Sequence, residues 1–143
     1  MKDVPWIVNV SLADVANGNH PEPGPNSTLI QIVDPDMEFP TPARNFACVK
    51  QYKFLDLEED GPSVETLGIQ PSQAACIADD LKRALLIGGN VVVHCHAGVC
   101  RSGAVAEAGV MLGFRDLHVY RKPNSFVKKL LRLCLGLKYS FEK

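Results

Sequence analysis

The stretch Val91-Val92-Val93-His94-Cys95-His96-Ala97-Gly98-Val99-Cys100-Arg101-Ser102-Gly103 limits the folds open to this chain more than any other. Three β-branched residues after Gly88-Gly89-Asn90 predict a strand buried on both faces, because a half-exposed strand would alternate apolar and polar residues. The run then meets polar residues and the chain turns. Beyond Arg101, Ser102 is placed to cap a helix, and Ala104 to Leu112 is apolar almost all the way round, as in a helix packed inside a core. A doubly buried strand, a short loop and a buried helix predict an α/β protein built on a mainly parallel sheet.

The loop has chemistry of its own. Gly98 gives the backbone freedom to turn successive amide N–H groups inward at the positive end of the helix, and such a nest binds phosphate. A thiol at Cys95 would share that field with Arg101, conditions that move a cysteine pKa from about 8.5 to roughly 3.5–7.5. Arg101 adds a planar fork able to hold two phosphoryl oxygens and to favour an in-line transition state. The expected division of labour is attack by Cys95 and charge stabilisation by Arg101, with His96, Ala97, Gly98, Val99, Cys100 and Arg101 holding the phosphate.

With five residues between Cys95 and Arg101, His94 before and Ser102 after, the segment resembles the His-Cys-x-x-Gly-x-x-Arg-Ser signature of cysteine-dependent protein tyrosine phosphatases. It is most similar to their small dual-specificity group. The resemblance implies that Ser102 hydrogen-bonds the sulfur and helps it leave, and that His94 orients the loop. It also implies that Asn124, in Pro123-Asn124-Ser125, buttresses the phosphate loop while capping the last helix. It covers roughly Tyr52 to Leu131; the first fifty residues carry no motif assigned to it.

The resemblance also implies a general-acid aspartate on a loop just after a strand, thirty to forty residues before the cysteine. The cluster Asp56-Leu57-Glu58-Glu59-Asp60-Gly61-Pro62 lies there. Such a cluster is ordinarily a solvated turn, but expelling an alkoxide or phenolate needs a proton donor. Asp56 and Asp60 both fit. Asp56 directly follows the strand-like Tyr52-Lys53-Phe54-Leu55 and is preferred; Asp60 is the alternative, reachable by loop closure.

At 143 residues the chain suits one domain, 1–143. Lys and Arg number 15 against 16 Asp and Glu, a balance that gives no case for general nucleic-acid or membrane binding. Met1-Lys2-Asp3-Val4-Pro5-Trp6 lacks the apolar region of a signal peptide, and a cytoplasmic location is expected. Five cysteines, an odd number without metal-ligand spacing, fit reduced thiols better than a disulfide scaffold. Cys48, Cys76 and Cys134 lie in apolar patterns and read as small core residues.

Taken in order, strands are expected at Trp6–Val10, Thr28–Val33 and around Phe46–Leu55, with a turn or short helix at Ser11–Asn17 and a proline-rich loop at Gly18–Asn26. Apolar residues at Ala74, Ile77, Ala78, Leu81, Ala84 and Leu85 predict a helix from Pro71 to Gly88-Gly89. A last helix opens at Asn124, with Lys128, Lys129 and Arg132 on its solvated side. The architecture expected is a single-domain, dual-specificity-phosphatase-like sheet flanked by helices, with the site at the carboxyl end of a central strand.

Two loop positions invite separate readings. Cys100 precedes Arg101 as in the low-molecular-weight tyrosine phosphatases, where a second cysteine pairs with the nucleophile under oxidation. Here Cys100 could capture a Cys95 sulfenic acid, or fill space against the helix. That family's fold is disfavoured, since its cysteine is near the N-terminus and its acid far downstream. His96 could touch substrate or line the rim. The loop lacks the lysines of lipid-phosphatase relatives, and no phosphotyrosine-recognition segment of the larger enzymes is evident.

The activity expected is hydrolysis of phosphotyrosine, with phosphoserine and phosphothreonine as further substrates, in a phosphorylated protein or peptide through a phosphocysteine intermediate. No metal or other cofactor is expected. One alternative is an RNA 5′-end phosphatase, for which Arg44, Lys50, Lys53 and Arg121 are weak candidates for the approach. The others are a phospho-binding module without turnover, against which an intact nucleophile argues, and a rhodanese-like sulfur carrier, against which the Gly-x-x-Arg-Ser-Gly ending argues.

Overall fold

The computed structural model describes residues 4–57 and 67–136. The elements are β1 (Trp6–Ser11), α1 (Leu12–Asn17), β2 (Thr28–Val33), β3 (Cys48–Lys53), α2 (Pro71–Ile87), β4 (Val91–Cys95), α3 (Arg101–Leu112), β5 (Arg115–Asp116) and α4 (Ser125–Leu135). The strands form one five-stranded sheet in the order β3-β2-β4-β1-β5, every pairing parallel. The α/β fold expected from the sequence is the fold observed.

Burial along each strand follows its place in the sheet. The residues of β2 and β4 are all buried and those of β1 are buried except the last, Ser11, whereas β3 alternates half-buried and exposed, as an edge strand should. On one face Ile7, Ile30, Ile32, Val91, Val93 and Cys95 pack with residues of α2, α3 and α4. On the other, Trp6, Val8, Val10, Leu29 and Val92 pack with Val15 of α1, and Phe46 and Leu117 from loops close over them. Among the described residues, helices thus flank the sheet unequally, three long ones against a single short one.

Helix boundaries have local causes. The α2 helix opens with Pro71 at its first turn and ends at Gly88, whose φ of 74° is the left-handed cap that glycine adopts without strain. The α4 helix is capped by Asn124, whose side-chain oxygen accepts from the Phe126 and Val127 amides at 3.0 Å. Some expectations fail, among them the reading of Cys48 and Cys134 as core residues, since both are half-buried. Ser102 does not cap α3, which begins at Arg101 with Cys100 as N-cap, because the serine hydroxyl is turned to the Cys95 sulfur. Arg132 is buried rather than solvated. Cys76 is exposed on α2, because its place in the helical period is outside the Ala74, Ile77, Ala78, Leu81 stripe that meets the sheet.

Candidate active site

The strand order places β4 between β1 and β2, so Cys95 ends the central strand at the carboxyl edge of the sheet. A loop of residues 96–100 leads from it into α3. Its carbonyl groups are engaged almost one after another. His96 O accepts from Leu12 N and Val99 O from Lys122 N, both at 3.1 Å, and Cys100 O accepts from Ala104 N and Asn124 N, both at 2.9 Å. Gly98 O accepts from the side-chain Nδ2 of Asn9 at 2.8 Å. In a trans peptide the N–H lies opposite the C=O, so the amides of Ala97, Val99, Cys100 and Arg101 point away from these partners. Gly98 itself has φ of 78°, and a Cβ there would lie 2.4 Å from the Val10 carbonyl carbon. Only glycine permits the loop to lie this close to β1.

The Cys95 sulfur is 3.2 Å from Ser102 Oγ, and both residues are buried. Burial pushes the thiol pKa up. Hydrogen bonds from the Ser102 side chain and amide, the Gly98 amide and the nearby Arg101 charge outweigh it, and the net shift is downward. His94 is wholly enclosed, and its Nδ1 lies 3.2 Å from Cys95 O. A carbonyl only accepts, so Nδ1 carries the proton. Burial lowers the pKa of this ring to about 4, with the Arg101 charge adding to the effect, and the imidazole is neutral near pH 7.

Arg101 is almost fully buried and its Nη1 donates to Asp34 Oδ1 and to Phe54 O, each at 2.7 Å. Its Nε has no hydrogen-bond partner among the described residues. The guanidinium is therefore anchored on one edge with an unsatisfied donor left on the other, an arrangement suited to receiving an anion.

The two expected aspartates differ in what can be said of them. Asp56 is exposed just beyond β3, and its Oδ1 accepts from Asn124 Nδ2 at 2.5 Å. Asn124 also donates to Leu57 O at 3.2 Å, and through its backbone N–H to Cys100 O. One residue thus joins the segment carrying Asp56 to the loop carrying Cys95. Asp60 lies outside the described residues.

His96 and Ala97 are exposed at the rim, and Cys100 is half-buried. None of the five cysteines is in a disulfide. No group of three or more His, Cys, Asp or Glu side chains among the described residues could hold a metal ion. No helix among them is long and apolar enough to cross a membrane.

Two participants were not anticipated. Asp34 anchors Arg101 and Asn9 anchors the loop, from segments in which no motif was assigned. The available signals were a lone amide inside the apolar run Trp6-Ile7-Val8-Asn9-Val10 and a carboxylate ending Thr28–Val33 ahead of Pro35.

The basic residues considered for a nucleic-acid approach are mostly engaged elsewhere. Arg44 pairs with Glu22, Arg121 with Glu107 and Asp116, and Lys53 lies over the Phe39 ring. Lys50 lines a cleft of about 670 Å3 between β3 and α2 that contains none of the expected site residues. There Tyr52 donates its hydroxyl to Asp80, and burial followed by this bond pushes the phenol pKa upward.

No protein-family model matches the sequence, and no curated protein matches it significantly.

Proposed function

We propose that this protein is a cysteine-dependent phosphomonoesterase acting on phosphotyrosine in proteins, with phosphoserine and phosphothreonine as further substrates. The observation that carries the reading is the buried Cys95 sulfur at the end of β4, 3.2 Å from Ser102 Oγ, where hydrogen bonds from Ser102 and Gly98 and the Arg101 charge favour the thiolate. In this mechanism the thiolate attacks phosphorus, forming the S–P bond as the bond to the substrate oxygen breaks. The loop amides and the Nε–H side of Arg101 take the phosphoryl oxygens, and Asp56 protonates the leaving oxygen. Water then attacks the phosphocysteine with Asp56 as base. The S–P bond breaks, the electron pair returns to sulfur, and Ser102 stabilises the thiolate. Asp34 keeps the guanidinium in place throughout.

We place the reaction in the cytoplasm, where reduced thiols are maintained. Under peroxide, oxidation of the Cys95 thiolate to a sulfenic acid, followed by attack of the Cys100 thiol with loss of water, would give a Cys95–Cys100 disulfide in place of irreversible products. The engaged state of Arg44, Lys53 and Arg121 supports protein over RNA as substrate.

The deciding experiment is hydrolysis of a phosphotyrosine peptide in EDTA and reductant by the wild-type chain, Cys95→Ser, Asp56→Ala and Asp60→Ala. Turnover is expected to vanish in Cys95→Ser. It should fall roughly 10²–10⁴-fold in Asp56→Ala, which also loses the decline in rate on the high-pH side of the profile. Loss of that decline in Asp60→Ala instead would transfer the role to Asp60. A wild-type chain that binds the peptide without turning it over would be a phospho-binding module.

A further inference from the structure

Asn9 is a polar residue in a place that apolar packing would otherwise claim. It is 1 % exposed and lies on β1 between Val8 and Val10, paired in register with Val93 of β4. Its two side-chain N–H groups are both used, one on Gly98 O at 2.8 Å and one on Tyr120 O at 3.0 Å. Two carbonyl partners leave no choice of amide orientation, since only the nitrogen can face them. The bonds span 89 and 111 residues of sequence, so neither belongs to the local structure of β1.

Both targets belong to the cradle. Gly98 is the residue whose left-handed φ lets the loop lie on β1. Tyr120 begins the segment whose Lys122 and Asn124 amides hold Val99 O and Cys100 O. Because a peptide unit is planar, fixing the Gly98 carbonyl also fixes the direction of the Val99 N–H. Glycine on one side of that unit makes it the loop's least restrained peptide, and an outside restraint there has the most to do.

We propose that Asn9 is a positioning residue for phosphate binding: by donating to Gly98 O and Tyr120 O, it holds the Gly98–Val99 peptide with its N–H toward the phosphoryl group and ties the loop to the segment behind it. The inference rests on the phosphatase reading of the site. It assigns to β1 a part in recognising the phosphoryl group, exerted through the loop.

The test is an NMR titration of the isotope-labelled full chain with inorganic phosphate, repeated for Asn9→Leu, which keeps the approximate shape and removes the donors. Ile77→Val, a core change on α2 away from the loop, serves as the destabilised control. The Val99 amide of the wild type is expected to shift on phosphate binding together with its loop neighbours. Asn9→Leu is expected to bind phosphate roughly fivefold to a hundredfold more weakly, the cost of releasing a buried hydrogen bond, with the control unchanged. A Val99 amide that stays still while its neighbours move overturns the inference, as does an Asn9→Leu chain that binds like wild type. If Asn9→Leu does not fold, the wild-type titration decides alone. A titration in which no loop amide moves overturns the phosphate cradle itself, a result distinct from failure of the Asn9 role.

Discussion

Ser102 shows how much a single side chain does at this site. As the second residue of α3 it could have turned its hydroxyl to solvent, but it is buried with Oγ 3.2 Å from the Cys95 sulfur. A hydrogen bond to an ionised group is worth about 1.5–3 kcal/mol, and one pKa unit corresponds to about 1.4 kcal/mol. Ser102→Ala is therefore expected to raise the Cys95 pKa. Less thiolate then exists at any given pH, so the midpoint of Cys95 alkylation by iodoacetamide, followed at that residue by mass spectrometry, moves to higher pH. An unchanged midpoint would assign the low pKa to the backbone and Arg101 instead. Cys95, Arg101 and Ser102 were legible in the sequence because their geometry is local, set by one strand end, one loop and one helix start. Asp34 and Asn9 were not, since each acts on a group 67 or 89 residues away and becomes a partner only once β1 and β2 flank β4.

At the scale of elements, the segment between β5 and α4 has no regular structure and is among the most important to the loop. It has no periodicity to read, and the sequence assigned it no element; yet its amides hold two loop carbonyls. Arg121 fastens it. The guanidinium meets both Asp116 oxygens at 3.1 and 3.0 Å and reaches Glu107 on α3 at 2.8 Å. Gly103 makes room, since a Cβ there would lie 3.0 Å from the Arg121 Cβ. Hydrogen bonding to Arg121 holds the Asp116 pKa down at about 2. A depressed carboxylate pKa stabilises the fold above its unfolded value of about 3.9, and this contribution is lost as pH falls toward 2. Arg121→Ala is expected to cost about 1–3 kcal/mol in chemical denaturation at neutral pH and to flatten this low-pH decline. A variant as stable as the wild type, with the same acid profile, would show that other contacts hold the segment. The longer helices were legible where this segment was not, because α2 and α4 present continuous apolar stripes to the core and carry their own end signals at Pro71, Gly88 and Asn124.

For the whole molecule, the all-parallel sheet brings the strand carrying Cys95 into its centre and encloses everything beside it. Cys95 turns toward α2, α3 and α4, so alternation sends its neighbour His94 to the opposite face, level with Val10 of β1 and Gln31 of β2. The sequence indicated a strand ending near Val93; β4 instead continues through His94 and Cys95. A pattern of apolar residues cannot show this, because these two are buried by the sheet's topology and not by their own hydrophobicity. Enclosure has a measurable effect on stability. The ordinary histidine pKa is 6.5, and burial lowers that of His94 to about 4. Between these values the unfolded chain binds a proton that the folded chain refuses, so stability falls as pH drops through this window and is unaffected by this group above it. The loss reaches on the order of 3 kcal/mol by pH 4. Asp80 acts in the opposite sense, because burial raises its pKa and protonation favours the folded state as pH falls. Asp116 responds only at lower pH. Urea denaturation between pH 7 and pH 4.5 separates these contributions: wild type should lose stability steadily below about pH 6.5. His94→Gln, which cannot ionise, should lose much less across the same range even if its stability at neutral pH is lower. Equal slopes in the two chains would mean that His94 takes up its proton without unfolding, and that the centre of the sheet is more open to water than its packing implies.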